Sequence, residues 1–192
     1  MNIYLIRHTL PEVAPGICYG HADLDVADTF AAELEKLRPK LEGVVSPLLI
    51  SSPLRRCLKL AEQMAKHFEV PSVTTDARLL ELNFGDWELK NWADIPQGVV
   101  SEWSDAHIKQ APPNGESYVE LHARAKQFFA ELSQAQQIEH ALVFTHAGVI
   151  RALISEISGK PLTEAVNIAV DYGSVTHISI EDGVTQLGQV NY

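Results

Sequence analysis

Three short apolar runs limit the architectures open to this chain. Ile3-Tyr4-Leu5-Ile6, Leu48-Leu49-Ile50 and Ala141-Leu142-Val143-Phe144 each pass directly into polar residues: Arg7-His8-Thr9, Ser51-Ser52-Pro53 and Thr145-His146-Ala147. Runs this short, apolar on consecutive positions, read as strands buried on both faces. Behind the second run, Leu54, Leu58, Ala61 and Ala65 recur at helical spacing; behind the third, Val149, Ile150, Leu153, Ile154 and Ile157 do. A buried strand followed by an amphipathic helix is the unit of a parallel sheet covered by helices, so an α/β fold is expected. Toward the C-terminus, Asn167–Val170, Val175–Ile180 and Val184–Val190 read as further strands, the last two joined through Glu181-Asp182-Gly183 as a hairpin. The sheet is therefore expected to be mainly parallel with an antiparallel edge.

In a parallel sheet the strands' carboxyl ends share one edge, where open α/β folds bind ligands. That edge would receive Arg7 and His8 from the first junction, Arg55 from the second and His146 from the third. Ser52 can cap the second helix with Pro53 as its first residue, which puts Arg55 in the first turn. A cation there opposes the helix dipole; an anion held jointly by the helix amides and the guanidinium gives a reason for it. A solvated position describes Arg56 better than Arg55. Taken singly, a strand-capping Arg7 and a packed His8 would be ordinary. Three junctions that each deliver a basic group make an oxyanion pocket the coherent reading.

Composition narrows the partner. With 192 residues, 46% hydrophobic and 21% charged, the chain supports one sizeable core, so a single domain is expected over 1–192. The formal net charge of −10 repels nucleic acid and anionic membranes but leaves a small anion free to enter a locally basic pocket. Neither a signal peptide nor a membrane-spanning stretch is visible, which makes the cytoplasm the expected location. Cys18 and Cys57 form no disulfide framework or metal knuckle and read as reduced thiols.

Other segments read more plainly. Pro11 to Ala27 is an ordered loop; Asp28 can cap a helix striped by Phe30, Leu34, Leu37 and Leu41, ended by Pro39 and Gly43. Asp23-Leu24-Asp25-Val26-Ala27 is close to the aspartate pair of haloacid-dehalogenase-type phosphatases, but it follows no buried strand and is read as chance. His21, His67, His107, His122, His140 and His177 lack metal-ligand spacing and are assigned to surface or packing roles. Leu121, Ala125, Phe128 and Leu132 form a core stripe. Trp87, Trp92 and Trp103 are read as packing residues. The Pro- and Gly-richer stretch 87–116 is expected to be a lid or cap inserted over the site.

Five segments, in this order and spacing, carry a resemblance. They are Leu5-Ile6-Arg7-His8-Thr9, Ser51-Ser52-Pro53-Leu54-Arg55-Arg56-Cys57, Glu81-Leu82-Asn83-Phe84-Gly85-Asp86-Trp87-Glu88, Pro112-Pro113-Asn114-Gly115-Glu116-Ser117 and Phe144-Thr145-His146-Ala147-Gly148-Val149-Ile150-Arg151. Together the five resemble the histidine phosphatase superfamily in its phosphoglycerate-mutase-like branch, over nearly the whole chain. The resemblance implies a three-layer α/β/α sandwich with His8 as the nucleophile that becomes phosphorylated. It also implies that Arg7, Arg55 and His146 grip the phosphoryl oxygens and that Glu81 is the proton donor. The chemistry of the residues alone leaves the acid open among Glu81, Asp86 and Glu88. Ser174 and Tyr19 are weaker substrate-side candidates. Three positions depart from the family pattern: Thr9 and Leu89 stand where Gly is common, and Ala14 where many members carry Asn.

The expected activity is thus phosphomonoester hydrolysis through a phosphohistidine. Neutral imidazole can attack phosphorus, and two arginines with His146 would supply the charge a metal ion supplies elsewhere, so no metal or cofactor is expected. The partner expected is a small phosphorylated metabolite, and no feature sets an oligomeric state. Within the superfamily, Arg-His-Thr-x-Pro followed by Gly-Ile-Cys-Tyr-Gly-x-x-Asp is similar to the α-ribazole phosphatases of cobalamin assembly. A phosphoglycerate-mutase-type isomerase and a broad-specificity phosphatase are the alternatives, and a non-catalytic phospho-ligand module ranks last.

Overall fold

The computed structural model describes residues 1–106, 108–135 and 137–192. The elements run β1 (Asn2–Arg7), α1 (Phe30–Leu37), β2 (Leu48–Ser51), α2 (Arg55–His67), β3 (Thr74–Thr75), α3 (Gln97–Ala106), α4 (Tyr118–Ser133), β4 (His140–Thr145), α5 (Ala147–Ser158), α6 (Leu162–Ala165), β5 (Val175–Glu181) and β6 (Val184–Leu187). The six strands form one sheet in the order β3-β2-β4-β1-β5-β6. β4 sits between β1 and β2, parallel to both, with Leu5 opposite Val143 and Leu49 opposite Leu142. β5 is antiparallel to β1 and β6 to β5.

Consecutive apolar positions face opposite layers, as side-chain alternation on a pleated strand requires. Ile3, Leu5, Ile50, Ala141 and Val143 pack with Leu121, Ala125 and Phe128 of α4 and Val149, Ile150 and Leu153 of α5. Ile6, Leu49, Leu142 and Phe144 pack with Leu34 and Leu37 of α1 and Cys57, Leu60 and Met64 of α2. Two cores flank one sheet, which is the three-layer α/β/α arrangement. The parallel core leaves the ends of β1, β2 and β4 at one edge, where His8, Ser52 and His146 follow. Among the described residues, no helix is long and apolar enough to cross a membrane.

Several sequence expectations shift. Asn167–Val170 is not a strand: it follows α6 as a turn, and its carbonyls serve side chains, with Ile168 O accepting from Arg151 and Val170 O from Arg7. The β5–β6 hairpin forms as expected, but β6 stops at Leu187. Thr29, not Asp28, precedes α1 as its cap residue. α2 begins at Arg55 with Leu54 as the cap residue, two positions later than a Ser52 cap would place it. The two-residue edge strand β3 carried no apolar signal, since both its threonines are exposed.

The two ends of the stretch 87–116 lie side by side. Asp86 N–H donates to Pro113 O at 2.9 Å and Glu116 N–H to Asn83 O at 2.9 Å, so its two ends are clamped together. Inside it, Trp87 and Ile95 are buried with Cys18 in a small core to which Phe84, Trp92 and Trp103 add their rings. The tryptophans are packing residues, as expected; the Trp87 and Trp103 centroids lie 5.4 Å apart, edge to face. His107 lies outside the described residues.

Candidate active site

His8 is placed by backbone at three points. Its N–H donates to Thr145 O of β4 at 3.0 Å, Gly173 N–H donates to its carbonyl at 3.2 Å, and the N–H of Arg7 donates to Ser174 O at 3.1 Å. The ring is 2% exposed, and its Nδ1 lies 2.7 Å from Thr9 O. A carbonyl only accepts, so Nδ1 carries the proton and Nε2 presents its lone pair. Burial, then the guanidinium of Arg56, then that of Arg7, hold the His8 pKa well below 6.5. The imidazole is neutral at pH 7 and nucleophilic.

His146 ends β4 and caps α5, fully buried, its ring edge-on to His8 with centroids 5.0 Å apart. Its Nε2 lies 2.9 Å from Ser52 Oγ and 3.5 Å from Cys57 Sγ. Burial, followed by Arg56, pushes its pKa well below 6.5 as well. His146 therefore offers hydrogen bonds rather than the charge expected of it. Charge comes from the arginines.

The two arginines after Leu54 exchange their expected places. Arg55 is exposed and turned outward: its N–H and Nε donate to the Asp23 carboxylate at 2.7 and 3.1 Å, and Asp25 stands 3.7 Å from Nη1. This corrects the placement expected of Arg55, and the acidic stretch Asp23–Asp25 that holds it also pairs with Lys59. Arg56 is fully buried, donating from Nη1 to Ala22 O at 2.8 Å and from Nη2 to Gly20 O at 2.6 Å. The signal lay in the helix register. Arg56 stands four residues before Leu60 and eight before Met64 on the buried face, and Arg55, about 100° round the helix from it, falls off that face.

Arg7 donates from Nη1 to Val170 O at 2.6 Å and lies 3.7 Å from the centroid of the Tyr172 ring. Neither Arg7 nor Arg56 pairs with a carboxylate among the described residues. Both Nε atoms are buried with no acceptor there. Arg56 is fully buried and Arg7 half-buried; a buried guanidinium without a counter-ion costs several kcal/mol, so the two beside a neutral imidazole form a pocket that favours an anion.

The cavity next to this cluster has a volume of about 310 Å³; its wall includes Arg7, His8, Tyr19, Glu81, Phe84 and Arg151, while the fully buried Arg56 and His146 are not part of it. Of the three carboxylate candidates, only Glu81 reaches it. Glu81 is held by the N–H of Gly148 at 3.2 Å and of Leu82 at 2.9 Å, in the first turn of α5. A Cβ at Gly148 would stand 2.2 Å from Glu81 Oε1, so only glycine admits the carboxyl there. Arg124 donates to the carbonyls of Arg78, Leu80 and Glu81 and fixes the backbone of this segment. Asp86 is directed to Asn114, and the Glu88 carboxylate accepts four backbone N–H groups.

Tyr19 lines the cavity, its hydroxyl 2.7 Å from that of Tyr172, and burial raises its pKa. Ser174 is buried with its Oγ unpaired and is not part of the cavity wall. Tyr172 and Arg151 are site residues that sequence reasoning did not single out. Tyr172 sits in a turn without periodic signal, whereas Arg151, four residues after Ala147 on α5, was within reach of a helical-wheel reading.

Residues 3–192 match the family model described as the histidine phosphatase superfamily, branch 1. The chain belongs to the histidine phosphatase superfamily. Among curated members, an adenosylcobalamin/α-ribazole phosphatase of Escherichia coli (strain K12) is 29% identical, the match covering all of this chain and 96% of that protein. Among solved members, an α-ribazole phosphatase from Shigella flexneri superposes with a TM-score of 0.89 at 27% identity, over 100% of this chain and 96% of that one. A mycobacterial glucosyl-3-phosphoglycerate phosphatase superposes with a TM-score of 0.82 at 25% identity, over 99% and 98% of the two chains. The chain is a phosphatase, and its phosphoglycerate-mutase-like fold is the one the resemblance implied.

Proposed function

We propose that the chain hydrolyses α-ribazole phosphate, or a phosphate ester of the same build, through a phosphohistidine on His8. The observation that carries the chemistry is the neutral His8, its Nδ1 tied to Thr9 O, set beside the buried guanidinium of Arg56 and the half-buried one of Arg7, neither with a carboxylate partner among the described residues. His8 Nε2 attacks phosphorus in line with the ester oxygen. As the N–P bond forms and the P–O bond breaks, Arg7 and Arg56 stabilise the phosphoryl oxygens and the single N–H of neutral His146 donates to one of them. The leaving alkoxide takes the proton of the Glu81 carboxyl group. Glu81, now a carboxylate, takes a proton from the water that attacks the phosphohistidine, and release of phosphate restores neutral His8. In this assignment Arg56 replaces Arg55 as the second arginine of the oxyanion pocket.

The substrate class rests on the likeness to α-ribazole phosphatases and on the cavity wall. Beside the polar groups, Leu82, Phe84, Tyr118 and Val166 line it, an apolar surface suited to a flat organic leaving group. Stretch 87–116, whose Phe84-linked core adjoins that wall, is proposed to act as its cap. The buried, unpaired thiols Cys18 and Cys57 suit a reducing compartment, which supports action in the cytoplasm.

The test is phosphate release from α-ribazole phosphate, phosphoglycerates and simple aryl phosphates in EDTA, comparing wild type with His8→Ala. Preferred turnover of α-ribazole phosphate, abolished in the variant, is expected. Uniform weak turnover abolished in the variant would keep the mechanism and remove the substrate. Interconversion of phosphoglycerates without net release would make the chain a mutase. Glu81→Gln should lower kcat by roughly 10²–10⁴ with the ester substrates, the usual contribution of a general acid; an unchanged kcat would exclude Glu81 as the acid.

A further inference from the structure

Glu88 was one of three carboxylates able to serve as the acid, yet its geometry excludes that task and gives it another. Oε1 accepts from the N–H of His21 at 2.9 Å and of Phe84 at 3.0 Å; Oε2 accepts from the N–H of Gly20 and of Ala22, each at 2.9 Å. Each oxygen accepts two backbone N–H groups, against one on each oxygen of Glu81, so no lone pair is left for a proton, and Glu88 is not part of the cavity wall. The same short loop, read on its carbonyl side, holds the catalytic charge: Gly20 O and Ala22 O are the acceptors of the two terminal nitrogens of Arg56. Nothing else among the described residues accepts a hydrogen bond from that guanidinium, whose Nε has no acceptor.

Residues 20–22 are thus gripped on one side by a carboxylate and grip a guanidinium on the other. Consecutive N–H groups turned toward one anion leave their carbonyls turned away from it, toward the cation. The packing leaves the loop no second seat. A Cβ at Gly20 would lie 1.8 Å from Leu82 O and 2.9 Å from Glu88 Oε1, so the backbone touches the 82–88 segment directly.

We propose that Glu88 is a positioning residue for the phosphate pocket: by clamping the Gly20–Ala22 backbone it aims the carbonyls that hold Arg56 against the phosphoryl group bound at His8. The inference rests on the reading of His8 and Arg56 as the phosphoryl-binding pair. A glutamine at position 88 has the same shape but must turn its NH₂ toward one pair of N–H donors, which releases either Gly20 and Ala22 or His21 and Phe84. Either loss lets the carbonyls under Arg56 swing.

The test is a double-mutant cycle on competitive inhibition by inorganic phosphate and by orthovanadate, with Glu88→Gln, Arg56→Lys and the pair together, and with Arg55→Gln as a second background. Glu88→Gln is expected to raise both inhibition constants about tenfold or more, the effect of weakening one charge-assisted hydrogen-bond set. In the Arg56→Lys background the same change should have little further effect, and in the Arg55→Gln background it should keep its full effect. Equal losses in both backgrounds would mean that Glu88 only glues the loop, and would overturn the inference while leaving the phosphatase reading intact. Unchanged inhibition constants in Glu88→Gln would overturn it as well. Should Glu88→Gln not fold, Glu88→Asp keeps the charge, shortens its reach and carries the same cycle. A wild type that neither binds phosphate nor loses hydrolysis with His8→Ala would overturn the site reading and this inference with it.

Discussion

Arg55 and Arg56 are adjacent and chemically identical, yet one is paired at the surface with Asp23 and the other is buried without a counter-ion. An exposed arginine in an ion pair contributes little, whereas a guanidinium stabilising developing phosphoryl charge in a buried pocket is worth far more. Arg56→Gln is therefore expected to lower kcat/KM for phosphate esters by about 10²–10³, against a change of a few-fold at most for Arg55→Gln. Steady-state kinetics on the two variants decides it, and the reverse order would return Arg55 to the pocket. Gly148 makes a second sharp test. Its hydrogen is all that separates the helix from Glu81 Oε1, and because the carboxyl is the free end of a flexible side chain, Gly148→Ala should displace Glu81 without unfolding the protein. Activity is expected to fall toward that of Glu81→Gln, with the melting temperature nearly unchanged.

Each strand-to-helix junction does a different task with the same parts. β1 ends in Arg7 and leads into His8, the proposed nucleophile, which is locked by backbone contacts to β4 and to the turn before β5. β2 runs into Ser52, whose hydroxyl supports His146 instead of capping α2. β4 runs into His146 and the first turn of α5, where Gly148 N–H holds the proposed acid, Glu81. The connecting segment 81–91 carries strain of its own. Leu89 adopts φ +64°, in the left-handed region, where the family often has glycine. Leu89 is exposed, and its N–H donates to Cys18 O at 2.8 Å, so the conformation is held by pairing rather than by its side chain. Leu89→Gly should stabilise the fold by about 1 kcal/mol through relief of that steric cost. Chemical denaturation of both proteins measures it, and destabilisation by the glycine would mean that the leucine side chain holds the cap.

The protein as a whole stores two neutral imidazoles in its catalytic centre, and that makes its stability depend on pH. His8 and His146 have folded pKa values well below the 6.5 of an unfolded histidine. Below pH 6.5 the unfolded chain binds protons that the native state refuses, so stability is complete above that value and is lost as pH falls toward the folded values. Unfolding free energy is therefore expected to be smaller at pH 5.5 than at pH 7.5. Urea unfolding at the two pH values checks this, and a loss no larger in wild type than in His8→Asn would show that His8 is not held neutral by the fold. Much of this molecule was legible in the chain itself. Consecutive apolar positions demanded strands buried on both faces, the stripes in α2, α4 and α5 demanded helices on those faces, and Arg7, His8 and His146 had to emerge at one edge once the strands were parallel. Periodicity carries this information because burial is decided by which residues repeat along an element. The helix stripe also marked Arg56, and not Arg55, as the inward arginine, while the tertiary structure alone decided what that guanidinium bonds to, which of three carboxylates reaches the cavity, and that His146 is uncharged. Those outcomes depend on the carbonyls of a loop 34 residues or more away in sequence and on desolvation by the surrounding layers. No local pattern in the chain encodes them.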